Sequence, residues 1–300
     1  MKKTFLLSIV ACATLLGAAF AADGNDEKLQ LIDIFQLEYG ADPQISPDGQ
    51  RIVYVRTFMD IMSDRRRLNL WILNVDGSDH RPLTSGNENH RSPRWSPDGK
   101  RLLYISGEED STQIYCRWMD TGQSAALSHL IKPPRDIAWS PDGLHIVFSM
   151  LVPAPSEEFA SIPPKPKGAE WAKPAKVIRK LRYRSDGTGY LEDGYSHLFI
   201  LPADGGTPRQ ITSGDFNHRG GRWTPDGRFL AIGSYDRMIS LVEIDNGTFQ
   251  FRGEVAAHTG KVADLAFSAD GQFLFTGSSD NTARLWLFRP FVDSFRRASI

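Results

Sequence analysis

The run Pro93-Arg94-Trp95-Ser96-Pro97-Asp98-Gly99-Lys100-Arg101-Leu102-Leu103-Tyr104-Ile105 decides the fold. Its centre, Ser96-Pro97-Asp98-Gly99, is a tight turn. Proline fixes φ, the aspartate bonds its own backbone, and glycine accepts φ > 0. Trp95 precedes the turn and the apolar run Leu102–Ile105 follows it, which is how two antiparallel strands read when a turn joins them. The same text recurs as Ser46-Pro47-Asp48-Gly49, Ser140-Pro141-Asp142-Gly143 and Thr224-Pro225-Asp226-Gly227, and weakly as Ser268-Ala269-Asp270-Gly271. The turn aspartates Asp48, Asp98, Asp142, Asp226 and Asp270 are spaced 50, 44, 84 and 44 residues apart. A period near 44 residues belongs to propeller blades.

Each unit repeats more than its turn. Trp139, Trp223 and Phe267 stand where Trp95 does, and apolar runs follow at 52–55, 146–148, 229–232 and 273–275. A second run comes later, at 68–75, 114–119, 198–201, 239–244 and 285–288. Turns such as Asp76-Gly77 and Asp204-Gly205-Gly206 close it, and a short fourth segment such as Arg81-Pro82-Leu83-Thr84 or Arg209-Gln210-Ile211-Thr212 can follow. One blade cannot bury both of its faces, so blades stack around an axis. The expected class is all-β: a β-propeller of four-stranded antiparallel blades, about five to six of them. The last unit lacks a clear fourth strand, and a strand from residues 28–45 is available to complete it. In this reading the five turn aspartates are structural.

The double interval between Asp142 and Asp226 contains a proline-rich stretch, 151–194, without a copy of the turn. It reads as a long excursion between the two middle strands of one blade. Lys165, Lys167, Lys173, Lys176, Arg179, Lys180, Arg182 and Arg184 make it basic, with Trp171, Tyr183 and Tyr190 among them. A binding surface and a solvated flap are both compatible with that composition.

The first 21 residues have a positive start (Lys2, Lys3), an apolar run from Thr4 to Phe20, and the small-residue exit Ala19-Phe20-Ala21. This is the layout of a secretory signal peptide and implies export to a periplasmic or extracellular space. A lipoprotein box at Ile9-Val10-Ala11-Cys12 is the weaker reading, because cleavage there leaves the rest of the apolar run on the mature chain. No later segment is expected to span a membrane. With Cys12 removed, Cys116 is alone and reads as a small buried hydrophobe. The propeller is then expected over 22–290, followed by a tail at 291–300.

The formal net charge is -1, which argues against a nucleic-acid footprint. The basic run Arg65-Arg66-Arg67 reads as a solvated loop. No zinc spacing, P-loop or G-x-G-x-x-G is present, so neither metal nor cofactor is expected. His90, His129, His145 and His218 have no obvious catalytic partner in sequence, and Asn246-Gly247-Thr248 is read as a turn rather than a glycosylation site.

From about Leu31 to Arg237 the chain resembles the propeller of the prolyl oligopeptidase family of serine peptidases, the acylaminoacyl-peptidase and dipeptidyl-peptidase branch. The residues that carry this are Asp42 through Gly49, Asn69-Leu70-Trp71, Pro93 through Gly99, Leu181-Arg182-Tyr183-Arg184, Asp186-Gly187, His197-Leu198-Phe199 and Pro202 through Gly206. The resemblance implies a non-catalytic domain that caps an α/β-hydrolase and admits only short or unstructured peptides. The hydrolase nucleophile sits in a G-x-S-x-G elbow. This sequence has no such elbow, so no catalytic residue is carried over and the hydrolase domain is expected elsewhere.

Beyond Arg237, residues 254–288 resemble a WD-repeat, through Ala257-His258, Thr276-Gly277-Ser278-Ser279-Asp280 and Leu285-Trp286. That resemblance implies a hydrogen-bonded structural network of His258, Thr276, Asp280 and Trp286. Two functions follow as expectations. The first is a peptide-gating propeller of an exported peptidase. The second is a stand-alone exported module that binds a protein partner, as the propeller of TolB-type translocation proteins does.

Overall fold

The computed structural model describes residues 30–107, 111–154, 163–172, 178, 181, 183–186, 189–245 and 247–288. The signal-peptide segment and the 291–300 tail lie outside them, as do several residues of the 151–194 excursion. A short 3-10 helix, Leu31–Gln36, leads into five antiparallel sheets that follow one another in chain order. Blade 1 contains β1 (Glu38–Ile45), β2 (Arg51–Asp60), β3 (Arg65–Asn74) and β4 (Arg81–Pro82). Blade 2 contains β5 (His90–Trp95), β6 (Arg101–Ser106), β7 (Gln113–Trp118) and β8 (Ser124–Ala126).

Blade 3 begins with β9 (Arg135–Trp139) and β10 (His145–Pro153). A small hairpin follows, β11 (Arg184–Ser185) with β12 (Gly189–Tyr190), and the blade resumes with β13 (Gly194–Pro202) and β14 (Arg209–Gln210). Blade 4 is β15 (His218–Trp223), β16 (Phe229–Ser234), β17 (Met238–Asp245) and β18 (Thr248–Ala256). Blade 5 shows three strands among the described residues, β19 (Val262–Phe267), β20 (Phe273–Ser278) and β21 (Ala283–Leu287).

The repeated turn joins the first strand of every blade to the second. In blade 2 the Ser96 hydroxyl donates to Asp98 Oδ1 (2.6 Å) and accepts from the Arg101 N–H (2.8 Å), while the Gly99 N–H closes on the Ser96 carbonyl (2.9 Å). The turn prolines also tie the blades together. A Cβ on Gly99 would stand 3.6 Å from Pro47, on Gly143 3.7 Å from Pro97, on Gly227 3.7 Å from Pro141, and on Gly271 3.3 Å from Pro225. Each proline therefore rests against the glycine of the next blade, and a side chain there would be in ordinary contact with it except at Gly271, where it would be crowded. Gly49, in blade 1, has nothing within 4 Å.

The core lies between blades because each sheet is apolar on both faces. Val53, Val55, Leu70 and Ile72 of blade 1 meet Leu102 and Tyr104 of blade 2. Leu103, Ile105 and Ile114 of blade 2 meet Ile146 and Phe148 of blade 3. Val147 and Leu198 of blade 3 meet Leu230 and Ile232 of blade 4. Ala231, Ile239 and Leu241 of blade 4 meet Val262, Leu265 and Leu274 of blade 5. The inner strands follow suit, β1 beside β5, β5 beside β9, β9 beside β15 and β15 beside β19.

The ring is not closed: among the described residues no comparable contact joins β19 to β1. Two expectations are corrected here. Residues 38–45 do not complete the last blade. They pair in register with β2, Ile45 opposite Ile52, as the inner strand of blade 1. Arg65-Arg66-Arg67 is not a loop either. The three arginines pair with Asp60, Met59 and Phe58, because the β2–β3 hairpin extends past its apolar part.

Candidate functional site

Blade 5 assembles His258, Thr276, Asp280 and Trp286 in one hydrogen-bonded network. His258 Nε2 lies 2.8 Å from Thr276 Oγ1, and His258 Nδ1 lies 3.0 Å from Asp280 Oδ2. Trp286 Nε1–H donates to the same Thr276 hydroxyl at 3.0 Å. The ionised Asp280 carboxylate can only accept, so Nδ1–H of the neutral imidazole donates to it and Nε2 accepts from the Thr276 hydroxyl. The Thr282 hydroxyl is the largest influence holding Asp280 well below the usual carboxylate range, with the Thr259 and Thr282 N–H groups and His258 adding to it. Hydroxyl, imidazole and carboxylate stand in the order of a hydrolytic triad. Thr276 is fully buried, however, and fixed by Trp286, so no carbonyl can reach it. The network clasps the blade.

The turn serines are similarly occupied. Ser46, Ser96, Ser140, Thr224 and Ser268 each spend their hydroxyl on the aspartate two residues on, Asp48, Asp98, Asp142, Asp226 and Asp270. The Ser96 hydroxyl and then the Lys100 N–H hold the Asp98 carboxyl below its ordinary value, so it is a poor proton carrier near neutrality. Cys116 is buried among blade 2 and 3 side chains, and burial pushes its thiol up to about 11. A thiol so protonated is no nucleophile.

A cleft of about 320 Å³ opens beside the turns of blades 1 to 3, between Pro47, Trp95, Pro97, Trp139 and Pro141, with Gln44 and Arg94 as its polar lining. Its polar groups already serve the joints between blades. Trp95 Nε1 donates to the Gln44 carbonyl (3.2 Å), Trp139 Nε1 donates to the Arg94 carbonyl (3.1 Å), and Arg94 pairs with Asp42 at 2.8 Å. The cleft is a seam of the scaffold.

The inner strands carry residues that the sequence reading did not single out. Each of β1, β5, β9 and β15 breaks register at a bulge, with Asp42 (φ 47°), Ser92 (φ 56°), Asp136 (φ 51°) and Gly220 (φ 59°) in the left-handed region. Arginines flank three of these bulges. Arg94 and Arg222 face the third residue of their blade's second strand, while Arg91, Arg135 and Arg219 face the fifth. The signal that would have found them is their offset from the turn: Arg91, Arg135 and Arg219 each stand seven residues before Asp98, Asp142 and Asp226, and Arg94 and Arg222 four residues before Asp98 and Asp226.

Within the excursion, β10 runs to Pro153 and β13 starts at Gly194, so the residues at both ends are strand. The β11–β12 hairpin brings Tyr183 and Tyr190 to a 6.1 Å ring separation, and Lys132 reaches across to Glu192 at 2.6 Å. Trp171, Tyr183 and Tyr190 are exposed. Lys173, Lys176, Arg179, Lys180 and Arg182 lie outside the described residues.

Stacked four-stranded blades with this turn define a β-propeller, and comparison with known proteins agrees. Residues 49–157 match the TolB beta propeller domain, and residues 211–242 and 249–286 match the WD domain, G-beta repeat. The chain is 30% identical over 217 residues to an uncharacterized peptidase, YuxL, of Bacillus subtilis, covering 72% of this chain and 32% of that protein. It is 28% identical over 170 residues to dipeptidyl-peptidase 5 of Porphyromonas endodontalis, covering 52% of this chain and 24% of that one. It is also 29% identical over 220 residues to actin-interacting protein 1 of Drosophila melanogaster, covering 67% of this chain and 34% of that one.

Among solved structures, the acylaminoacyl peptidase of Pyrococcus horikoshii superposes with a TM-score of 0.58 over 84% of this chain and 38% of that enzyme, at 15% identity. At that identity the likeness concerns the fold alone. The resemblance to prolyl oligopeptidase-type propellers read from residues 31–237 therefore stands, and so does the WD character of the last blade. The chain spans about a third of the length of the first of these relatives.

Proposed function

We propose that this propeller is the non-catalytic, substrate-gating domain of an exported serine peptidase of the prolyl oligopeptidase type. The observation that carries this reading is the way the similarity is distributed. Most of this chain aligns with a peptidase, and it accounts for only a third of that peptidase. A rigid ring of blades around an axis screens substrates by size and lets a partner domain do the chemistry. The hydroxyls and carboxylates described above are engaged inside turns and inside blade 5, and the thiol is buried, which suits such a role. Export rests on the layout of the first 21 residues; no helix among the described residues is long and apolar enough to cross a membrane.

Two measurements test the reading. An antibody raised against residues 30–150 should detect, in native extract, a band well above the size of a 300-residue chain. The purified chain should take no fluorophosphonate label, and labelling of it would overturn the non-catalytic assignment. A second reading, an exported module that binds a protein partner, is favoured by the WD match over 249–286 and the TolB-type match over 49–157. A native band at the size of this chain, with a partner captured reproducibly, would select it.

A further inference from the structure

We propose that Arg91, Arg135 and Arg219 form a carboxylate-binding site on the inner strands, taking the carboxylate of a peptide; this rests on the peptide-handling reading above. The three occupy one register position. Arg91 faces Ile105, Arg135 faces Ser149 and Arg219 faces Gly233, each the fifth residue of its blade's second strand. Their strands β5, β9 and β15 lie side by side around the axis. The blades therefore place three arginines at one level. On blades 1 and 5 the same position holds Ala41 and Asp264, so the array is three blades wide.

Their partners set these arginines apart. The two inner-strand arginines at the third position are ion-paired across blade joints, Arg94 with Asp42 (2.8 Å) and Arg222 with Asp264 (2.9 Å). Among the described residues, Arg91, Arg135 and Arg219 have no carboxylate within ion-pair distance. The acids beside them have other partners. Asp136 accepts from Ser149 Oγ (2.9 Å), Glu88 accepts from Ser106 Oγ (2.9 Å), and Asp264 is held by Arg222.

Arg91 is half-buried. Burial, and after it the Arg135 charge, hold its guanidinium below its ordinary value. Like charges brought together without a counter-ion among the described residues, as Arg135 beside Arg91, oppose folding, and an arriving anion relieves that. Arg219 lies over the Tyr235 ring at 5.7 Å, and Lys261 Nζ lies over the same ring at 4.8 Å, which extends the cationic strip toward blade 5. Guanidinium forks match carboxylates in geometry, and on a peptide that group is the C-terminus or an Asp or Glu side chain.

Calorimetric titration of the purified chain decides the matter. One ligand is an acetylated tripeptide with a free C-terminus, the second its C-terminal amide, and the third an amidated peptide with one internal Asp. The free acid should bind about tenfold or more tightly than the amide, and raised salt should weaken it. Arg135→Gln and Arg219→Gln alter exposed side chains and should keep the fold, judged by circular dichroism. Combined, they should bring the acid's affinity down to that of the amide and leave the amide unchanged. The third peptide tells a terminal carboxylate from a side-chain one, and tighter binding than the amide by either supports the site. Equal binding of all three peptides, or a variant that binds the tighter peptide as before, overturns the site and leaves the peptide reading in place. Binding of none of the three also overturns the site, and the size of the native protein then judges the peptide reading alone.

Discussion

Leu241 in blade 4 and Leu285 in blade 5 hold the same place in the repeat. Each is on the third strand, opposite the third residue of the second, Ala231 and Phe275 respectively. Leu241 is 0% exposed and Leu285 is 65% exposed. The strand pattern is the same and the difference lies in the neighbour: blade 5 covers Leu241, whereas nothing described covers Leu285, nor Phe275 beside it at 48%. Periodicity assigns a side chain to a face. Only the next blade converts that face into stability, because the gain scales with area removed from water. The sharpest test replaces both leucines. Leu241→Ala should lower unfolding stability by about 2–5 kcal/mol, and Leu285→Ala should stay within about 0.5 kcal/mol, both read from urea midpoints. Similar losses at the two positions would break the comparison and show that Leu285 is covered in solution.

Blade 5 offsets its bare rear face with the polar clasp around His258. Thr276→Val keeps the shape and removes the hydroxyl, taking away the bond from Trp286 Nε1–H and leaving the buried imidazole Nε2 without its partner. The expected loss is about 1–3 kcal/mol. It should be local. Amides of Ala283–Leu287 should exchange faster while those of Leu102–Ile105 in blade 2 are unaffected, since blades make nearest-neighbour contacts only. Thr276→Ser should restore protection. Faster exchange throughout the chain would show that blade 5 does not fold as a separate unit.

Blades 2 to 4 contain buried imidazoles of another kind. Burial is the main cause that lowers His90, His197 and His218 from the ordinary value, with the His218 charge adding at His197. The His90 ring is poorly satisfied, with the Ser85 backbone only weakly opposing the effect of burial, and its ring edge packs on Tyr104 at 5.6 Å. As pH drops through about 6.5, the unfolded imidazoles take up protons before the folded ones do. Stability is therefore complete above that pH and declines as pH falls toward the lowered folded values. The urea midpoint should be lower at pH 5.5 than at 7.5. His90→Leu should narrow the gap, and an undiminished gap would remove His90 from this account.

Much of this architecture was legible in the sequence. Trp95, the Ser96–Gly99 turn and Leu102–Ile105 carry their structure locally, so five copies of the turn pointed to about five to six blades, and five are seen among the described residues. The inner strand of blade 1 was harder to place. Glu38-Tyr-Gly-Ala-Asp-Pro-Gln-Ile45 is polar, contains a proline and bulges at Asp42, which removes the alternation that marks a strand. Arg65–Arg67 misled for the opposite reason: charged residues look like loop, yet backbone pairing with Asp60–Phe58 extends the hairpin. The arginine array was legible in position but passed over: Arg91, Arg135 and Arg219 each lie seven residues before the turn aspartate of their unit, Asp98, Asp142 and Asp226, while their lack of ion pairs needs the folded blades. The clasp in blade 5 could be named from the WD-like text, although its geometry depends on β20 and β21 pairing Leu274 with Trp286.

The smallest expected effect separates the two ends of the ring once more. Gly49 and Gly271 both sit in the left-handed region, at φ +70° and +68°, in copies of the same turn. A Cβ on Gly49 meets open space, whereas on Gly271 it would stand 3.3 Å from Pro225. Gly49→Ala should therefore cost backbone strain alone, about 1–2 kcal/mol. Gly271→Ala should cost the same plus a few tenths of a kcal/mol for the displaced proline, a typical size for a modest steric shift. Pro225→Ala in the Gly271→Ala background isolates that increment, because with the ring gone the two glycine substitutions should cost the same. If they already cost the same with Pro225 in place, the proline-to-glycine ladder is contact without tension. The blades would then be held in register by their buried faces alone.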